Sequence, residues 1–207
     1  GVTWKDKLSK HIAQFEERYG QKPASSVRNH YVVWSGYLAG AKIQAALGFE
    51  VDSNYMSMPE NQRCYMTASG LMMPFVEPNG NVLPIFQLPA QFTDETVLKH
   101  PDFSWSLNLS PEEGVSYLSR LLLENRDKYH SMLCINSHPI SFASYSERLW
   151  RPLLEFAKAE QIPVLNVAQF HAFWKERRNH RVRPVPRKEA GTYGPSVSGR
   201  LKLMFPD

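Results

Sequence analysis

The chain has 207 residues, of which 43% are hydrophobic and 21% are charged, and this ordinary globular usage argues against a disordered chain. Its length suffices for one domain with a sizeable core, and no apolar run approaches the roughly 18 residues needed to cross a bilayer. The net charge of +4 is concentrated in residues 175–190, which carry seven basic and two acidic side chains. We interpret this segment as a solvated tail or linker. The remainder is close to neutral, so we expect neither a nucleic-acid nor a membrane partner.

The first half of the chain predicts alternating helices and strands. Apolar residues recur every three or four positions over 3–19, which indicates an amphipathic helix that ends at Gly20. A strand over 24–30 follows, and a helix rich in small residues is predicted over 34–48. Residues 49–55 predict the next strand.

Residues 59–95 interrupt this alternation. Two apolar runs surround Pro78-Asn79-Gly80, which is typical of a β-hairpin. We interpret 59–95 as an insertion at the top of the sheet, placed to cover a site.

The second half returns to alternating elements. Ser110 and Glu113 form a capping box, with Pro111 at the first helical position. The predicted order is a helix over 110–128, a strand over 132–137, a helix over 145–160, a strand over 162–168 and a helix over 169–178.

This order predicts an α/β fold with parallel strands. A closed barrel usually needs about eight strands, and only four parallel strands and a hairpin are predicted here. We therefore expect residues 1–180 to form a partial or distorted β/α barrel whose N-terminal part is missing. Residues 181–207 are interpreted as a basic linker and the start of a following β segment.

Polar side chains follow three of the predicted strands. The carboxyl ends of parallel strands meet at one edge of a sheet, where β/α enzymes carry their chemistry. We therefore expect a single site from the following residues: Arg28 and His30 after the first strand, Asp52, Asn54 and Tyr55 after the second, and Ser137 and His138 after the third.

His138 and Arg28 are the strongest candidates. A histidine at a strand end can act as a general acid or base near neutral pH, although a structural role capping a backbone carbonyl is equally compatible with the pattern. The planar guanidinium of Arg28 suits a carboxylate or an oxyanion. Arg28 could also pair with Asp52, and the two roles are compatible.

The other site residues leave alternatives open. Asp52, Asn54 and Tyr55 suit the hydroxyl groups of a sugar, while the same run favours an Asx-turn that leaves the strand. His30, Asp52 and His138 offer nitrogen and oxygen ligands of the kind zinc prefers, but the chain contains no HxxxH or HExxH pair, so the metal ligands stay unassigned. Cys64 and Cys134 are expected to be buried free thiols.

Three segments, in this order and spacing, resemble the later motifs of NodB-type polysaccharide deacetylases: RNHYVVWSGY, LGFEVDSNY and LCINSHP. The resemblance covers roughly residues 5–178. It implies a distorted (β/α)7 barrel and the metal-dependent removal of acetyl groups from a polysaccharide. Arg28 matches the arginine that orients a catalytic aspartate, and His138 matches the general acid. Asp52 and Asn54 lie near the acidic motif between them.

On this resemblance, the catalytic residues would be His138, Arg28 and Asp52. The residues that bind the carbohydrate would be His30, Asn54, Tyr55 and Ser137.

The chain departs from the family pattern in one respect. The Asp-Asp pair and the His-x-x-x-His motif that hold the family's metal do not occur in it. We therefore expect the C-terminal portion of a longer enzyme, with zinc bound in the full-length protein, none bound here, and no activity of this chain alone. An upstream segment or an oligomeric partner would complete the barrel.

Two other functions fit the same fold class. A non-catalytic carbohydrate-binding or interaction module needs no metal site. A glycoside hydrolase needs two carboxylates facing each other across the substrate. The candidates for that pair are Asp52 together with Glu77, Asp94 or Glu95.

Overall fold

The computed structural model describes residues 3–29, 34, 36–56, 70–99 and 106–179. The helices are α1 Trp4–Tyr19, α2 Ala39–Ala46, α3 Asp94–Val97, α4 Pro111–Glu124, α5 Pro139–Ser141, α6 Glu147–Ala159 and α7 Val167–Asn179. The strands are β1 Ser26–Val27, β2 Val51–Asp52, β3 Met73–Val76, β4 Val82–Gln87, β5 Phe92–Thr93 and β6 Ile135–Asn136. Single π-helical turns follow α4 and precede α6, at Asn125–Tyr129 and Phe142–Ser146. No described helix has the length and apolar character required to span a membrane.

The strands form two sheets. The larger has the order β1-β2-β4-β3, in which β1, β2 and β4 are parallel and β3 runs antiparallel to β4. The smaller pairs β5 with β6 in parallel. The described residues are therefore mixed α/β with parallel strands, as predicted, and their sheets do not close into a barrel.

The predicted hairpin is present but has a different place in the fold. Strands β3 and β4 are joined by a turn in which Glu77 N donates to Asn81 O at 2.8 Å, and Gly80 adopts a φ of 89°, which favours glycine. Strand β4 is also the parallel neighbour of β2. The hairpin therefore lies within the main sheet beside β2 and does not lie over its top. Residues 59–69 of the predicted insertion lie outside the described residues.

The strand predicted over 162–168 is not formed. Pro163 has no N–H group to donate to a ladder, and the described backbone shows no hydrogen bond between 163–165 and any strand. Asn166 instead caps α7, because its side chain accepts from Gln169 N at 2.9 Å while Gln169 Oε1 accepts from Asn166 N at 2.9 Å. The apolar run was compatible with a strand, but its C-terminal end begins a helix.

The strand predicted over 132–137 is shorter than expected. Only Ile135–Asn136 has strand pairing, and residues 131–136 are half-buried. One side of this segment borders a cavity, which is described below.

Buried apolar side chains form three clusters, of which two are described here: one on the main sheet and one between α4 and α6. Helices α1 and α2 cover the main sheet, where Trp34 stacks on Phe75 with ring centroids 5.7 Å apart. Helix α4 packs on α6 through Leu118 and Leu149, both fully buried. Gly114 permits this close approach, since a Cβ atom there would lie 2.8 Å from Leu149 Cδ1. The packed α4–α6 pair supports the loop that carries His138.

Acid is expected to destabilise the fold through His171 of α7. This side chain is only 3% exposed, and its Nε2 is buried without a hydrogen-bond partner. Burial lowers its pKa, the charge of Lys175 adds to that effect, and Glu50 opposes it. The folded state thus favours the neutral imidazole of His171. The contribution of this group to the free energy of unfolding is present above about pH 6.5 and is lost as the pH falls through the lowered pKa.

We expect His171→Leu to reduce the loss of melting temperature between pH 7.5 and pH 5. His11→Leu, on the exposed side of α1, is the matched control. Thermal unfolding followed by circular dichroism measures both. Equal pH dependence in the wild type and His171→Leu would contradict the assignment.

Candidate active site

The smaller sheet brings two polar segments together. Strands β5 and β6 are parallel, with Thr93 opposite Asn136. Asp94 and Glu95 directly follow β5, and His138 follows β6 by two residues. Because both strands end at the same edge, the side chains beyond them converge there. We call Asp94, Glu95 and His138 the acid–base cluster.

Local capping holds both segments in place. Thr93 Oγ1 accepts from Thr96 N at 3.2 Å, and Thr96 Oγ1 accepts from Thr93 N at 2.7 Å. This reciprocal cap starts α3 and places the two acidic residues in its first turn. His138 has the extended backbone that a following proline favours, and its carbonyl accepts from Phe142 N at 2.9 Å.

Asp94 is the centre of the cluster. Its side chain is fully buried, and Oδ2 accepts from four donors: Ser137 Oγ at 2.8 Å, Ser146 Oγ at 3.0 Å, His138 N at 3.3 Å and Trp150 Nε1 at 3.5 Å. Burial raises the pKa of Asp94, but hydrogen bonds donated by the side chains of Ser137, His138 and Ser146 act in the opposite direction, and the pKa is lowered. Asp94 is therefore ionised at neutral pH.

The His138 ring is held by both carboxylates. Its Nδ1 lies 2.8 Å from Glu95 Oε1 and 3.3 Å from Asp94 Oδ1. Because both neighbours are acceptors, we assign the proton to Nδ1. The His138 side chain is 47% exposed, and Nε2 contacts no hydrogen-bond partner in the described part of the chain. Nε2 is thus free to exchange a proton with a bound molecule.

The same three side chains can hold a metal ion. One ligand atom from each of Asp94, Glu95 and His138 lies within 4.8 Å of the others. One imidazole nitrogen with two carboxylate oxygens is a donor set that divalent zinc accepts. A cation would replace the proton on Nδ1, since that nitrogen faces both carboxylates. Of the suggested ligand set, only His138 belongs to this cluster, and His30 lies outside the described residues.

Arg28 interacts electrostatically with the two carboxylates of the acid–base cluster. Its Nη2 donates to Met56 Sδ at 3.0 Å. Burial lowers the pKa of Arg28, while the nearby carboxylates of Glu95 and Asp94 act in the opposite direction. Arg28 therefore supplies a partly buried positive charge next to two carboxylates.

Asp52 occupies a buried position in the main sheet. It is fully buried and accepts from Gln44 Nε2 at 2.7 Å and Gln87 Nε2 at 2.8 Å, as well as from Asn54 N and Nδ2. Burial raises the pKa of Asp52 despite these bonds. None of these contacts involves Arg28 or the acid–base cluster. The network joins β2, β4 and α2 and is closed to solvent.

The other predicted substrate-binding residues divide between these two regions. Asn54 Oδ1 accepts from Asn29 N at 2.6 Å, which ties β2 to β1. Tyr55 is 5% exposed and packs edge-on against Trp34. Ser137 donates to Asp94 and so belongs to the acid–base cluster's surroundings.

The acidic partners of His138 were not predicted as such. Sequence reasoning considered Asp94 and Glu95 only as carboxylates of a glycoside hydrolase, because they fell at the end of the supposed insertion. One usable signal was Thr93-x-x-Thr96, a helix cap directly before two acidic residues. Of the other carboxylates considered, Glu77 pairs with Lys42 on the hairpin side.

Cys134 is expected to be unreactive in the folded protein. It is a free thiol, and burial raises its pKa to about 11, opposed by Arg28. Only about 0.1% of such a thiol is thiolate at pH 8, so we expect its reaction with a disulfide reagent to be about two orders of magnitude slower than that of free cysteine.

The measurement uses Cys64→Ser, which leaves Cys134 as the single thiol. Ellman's reagent is added at pH 8 to the folded variant and to the same variant in guanidinium chloride. We expect rapid reaction only after unfolding. Equal rates in both states would show that the thiol is accessible and its pKa ordinary.

Comparisons with family models, with curated proteins and with solved structures gave no match. Functional inference therefore depends on the geometry of the cluster and on the sequence motifs.

Proposed function

We propose that this chain carries the acid–base side chains of a hydrolase that removes acyl groups from carbohydrate. The observation that supports it is the His138 ring, half-exposed and held through Nδ1 by Glu95 and Asp94. The resemblance of three motifs to polysaccharide deacetylases supports the same reaction class.

In this proposal His138 protonates the departing group. Hydrolysis of an amide forms a tetrahedral intermediate, from which an amine leaves only when it is protonated. The protonated ring donates that proton from Nε2, while Glu95 and Asp94 hold Nδ1 and fix the orientation of the ring. Arg28 contributes positive charge that suits a developing oxyanion. With a divalent cation, zinc by its donor set, held by the cluster instead, His138 would be a ligand through Nδ1, and the cation would polarise an acyl carbonyl in place of proton donation by the imidazolium.

The geometry favours this function over a glycoside hydrolase. Asp94 and Glu95 are adjacent members of one cluster around His138 and do not face each other across an open cleft. Asp94 has no exposed surface with which to reach a substrate. Asp52 is equally buried.

The sequence predicted an inactive fragment because the family's metal motifs are absent. The acid–base cluster is the reason to test the chain itself, because it offers both proton-transfer groups and metal ligands. Acetate release from acetylated chito-oligosaccharide is measured in EDTA and with added Zn²⁺. We expect the wild type to release acetate and a variant that lacks His138 to lose this release.

The control is His130→Gln, an exposed histidine whose Nδ1 contacts Arg126 O. We expect this variant to match the wild type. If the chain binds the oligosaccharide by calorimetry but releases no acetate in either condition, the carbohydrate-binding module replaces the hydrolase as the better account.

A further inference from the structure

An apolar cavity of about 350 Å³ lies next to the acid–base cluster. It is enclosed by α4, β6, α6 and residues 162–165. Its walls are mostly aliphatic and aromatic side chains, among them Leu122, Leu133, Ile135, Phe142, Leu153 and Leu154. The volume falls in the lower part of the range of about 300–1,000 Å³ that is usual for small-molecule pockets.

Two residues belong to both the cavity wall and the surroundings of the cluster. Ser137 lines the cavity and donates to Asp94 Oδ2 at 2.8 Å. Trp150 also lines it, and its Nε1 lies 3.5 Å from the same oxygen. His138 follows Ser137 directly in the chain. The cavity wall therefore extends to the residue next to His138 in the chain and to two donors that share Asp94 with His138.

The side chains that line the cavity indicate which class of molecule it can bind. Among the described residues around the cavity, Ser137 and the Trp150 indole carry the only polar side-chain atoms, and both are directed to Asp94. No charged side chain lines the space, so it suits neither a sugar ring nor a carboxylate. Val164 and Leu165, 60% and 46% exposed, mark an open apolar rim.

We infer that this cavity binds the alkyl chain of the substrate's acyl group, so that the substrate class is carbohydrate bearing a medium-length acyl chain rather than acetyl alone. This inference rests on the proposed hydrolase function. Each buried methylene contributes roughly fourfold in affinity, so an octanoyl group gains far more from this space than an acetyl group does.

Two measurements test the inference. One is the ratio of kcat/KM for 4-nitrophenyl octanoate to that for 4-nitrophenyl acetate. The other is the binding of decanol, an uncharged alkyl probe, which is detected by the displacement of anilinonaphthalene sulfonate from the protein. For the wild type we expect an octanoate preference of at least about tenfold and saturable decanol binding.

Substitutions that fill the cavity provide the variants. Ala157 lines the cavity and is 3% exposed, so Ala157→Phe occupies it. Leu154→Trp adds volume from a half-exposed position and is the second variant should Ala157→Phe fail to fold. Ala159→Phe, on the exposed side of the same helix, is the matched control. We expect both filling variants to lose the octanoate preference and decanol binding, and the control to keep them.

The outcomes separate this inference from the proposed function. If the protein hydrolyses 4-nitrophenyl acetate but shows neither a preference for the octanoate ester nor decanol binding, the inference is overturned and the proposed hydrolase function is retained. Decanol binding that the filling variants abolish, with no ester hydrolysed, supports the cavity's ligand class and removes the hydrolase. A stable dimer that excludes decanol would show that a second copy covers the cavity, which also overturns the inference.

Discussion

Replacing His138 with glutamine is expected to lower the hydrolysis of an amide-linked acyl group by about 10²–10⁴-fold. The imidazole is half-exposed at Nε2 and anchored at Nδ1 by Glu95 and Asp94, an arrangement suited to donating a proton to a leaving amine. Glutamine retains hydrogen-bonding groups but cannot supply that proton at neutral pH. Steady-state release of acyl groups from an N-acylated oligosaccharide measures the loss.

An activated ester distinguishes proton donation from other roles of His138. Nitrophenolate leaves as an anion and needs no proton, so we expect His138→Gln to cost less than about tenfold on a nitrophenyl ester. Equal losses on the amide and the ester would indicate that His138 binds a metal or positions the substrate. Unchanged amide hydrolysis would remove His138 from the reaction altogether.

The position of His138 could be predicted because its signal is local. An apolar run followed at once by Ser137, His138 and Pro139 is visible in the sequence, and β6 does end there. Arg28 carried the same kind of signal after β1. His138 belongs to the acid–base cluster, and Arg28 interacts electrostatically with its two carboxylates.

The carboxylate partners could not be predicted because their signal is long-range. Asp94 and His138 are 44 residues apart, and they meet only because β5 pairs with β6. Strand β5 has two residues, which is too short for any alternation of apolar and polar positions to be detected. Asp52 follows a recognisable apolar segment in the same way as His138, but its amide partners come from α2 and β4, and they enclose it.

The fold shows the same division between local and distant information. The helical periodicity of α1, α4 and α6 gave their bounds closely, because each helix encodes its own apolar face and α1 and α4 their own caps. The placement of the hairpin did not follow from its turn. Whether β4 covers the sheet or joins it depends on the pairing of Val51 with Phe86, and no local pattern records that pairing.

Asp94→Ala is expected to be the most destabilising substitution in the site. It would leave the Ser137 and Ser146 hydroxyls and the Trp150 indole without their shared acceptor. An unsatisfied buried donor costs about 1–3 kcal/mol, so we expect the free energy of unfolding to fall by about 3 kcal/mol or more. Urea denaturation followed by tryptophan fluorescence measures it. A loss below about 1 kcal/mol would mean that these donors do not depend on Asp94.

Asp94→Asn separates the two roles of this residue. Asparagine keeps one acceptor oxygen for the hydroxyl donors, so its loss of stability is expected to be smaller than that of Asp94→Ala. It replaces the charged acceptor that faces His138 Nδ1 with an amide, so amide hydrolysis should still fall. Glu95→Gln is the matched control for stability, because Glu95 contacts His138 but accepts from neither serine. If Asp94→Asn retained full activity, Glu95 alone would suffice to hold the imidazolium. The buried carboxylate would then serve the fold, by joining β5 to the start of α6, and would have no part in proton transfer.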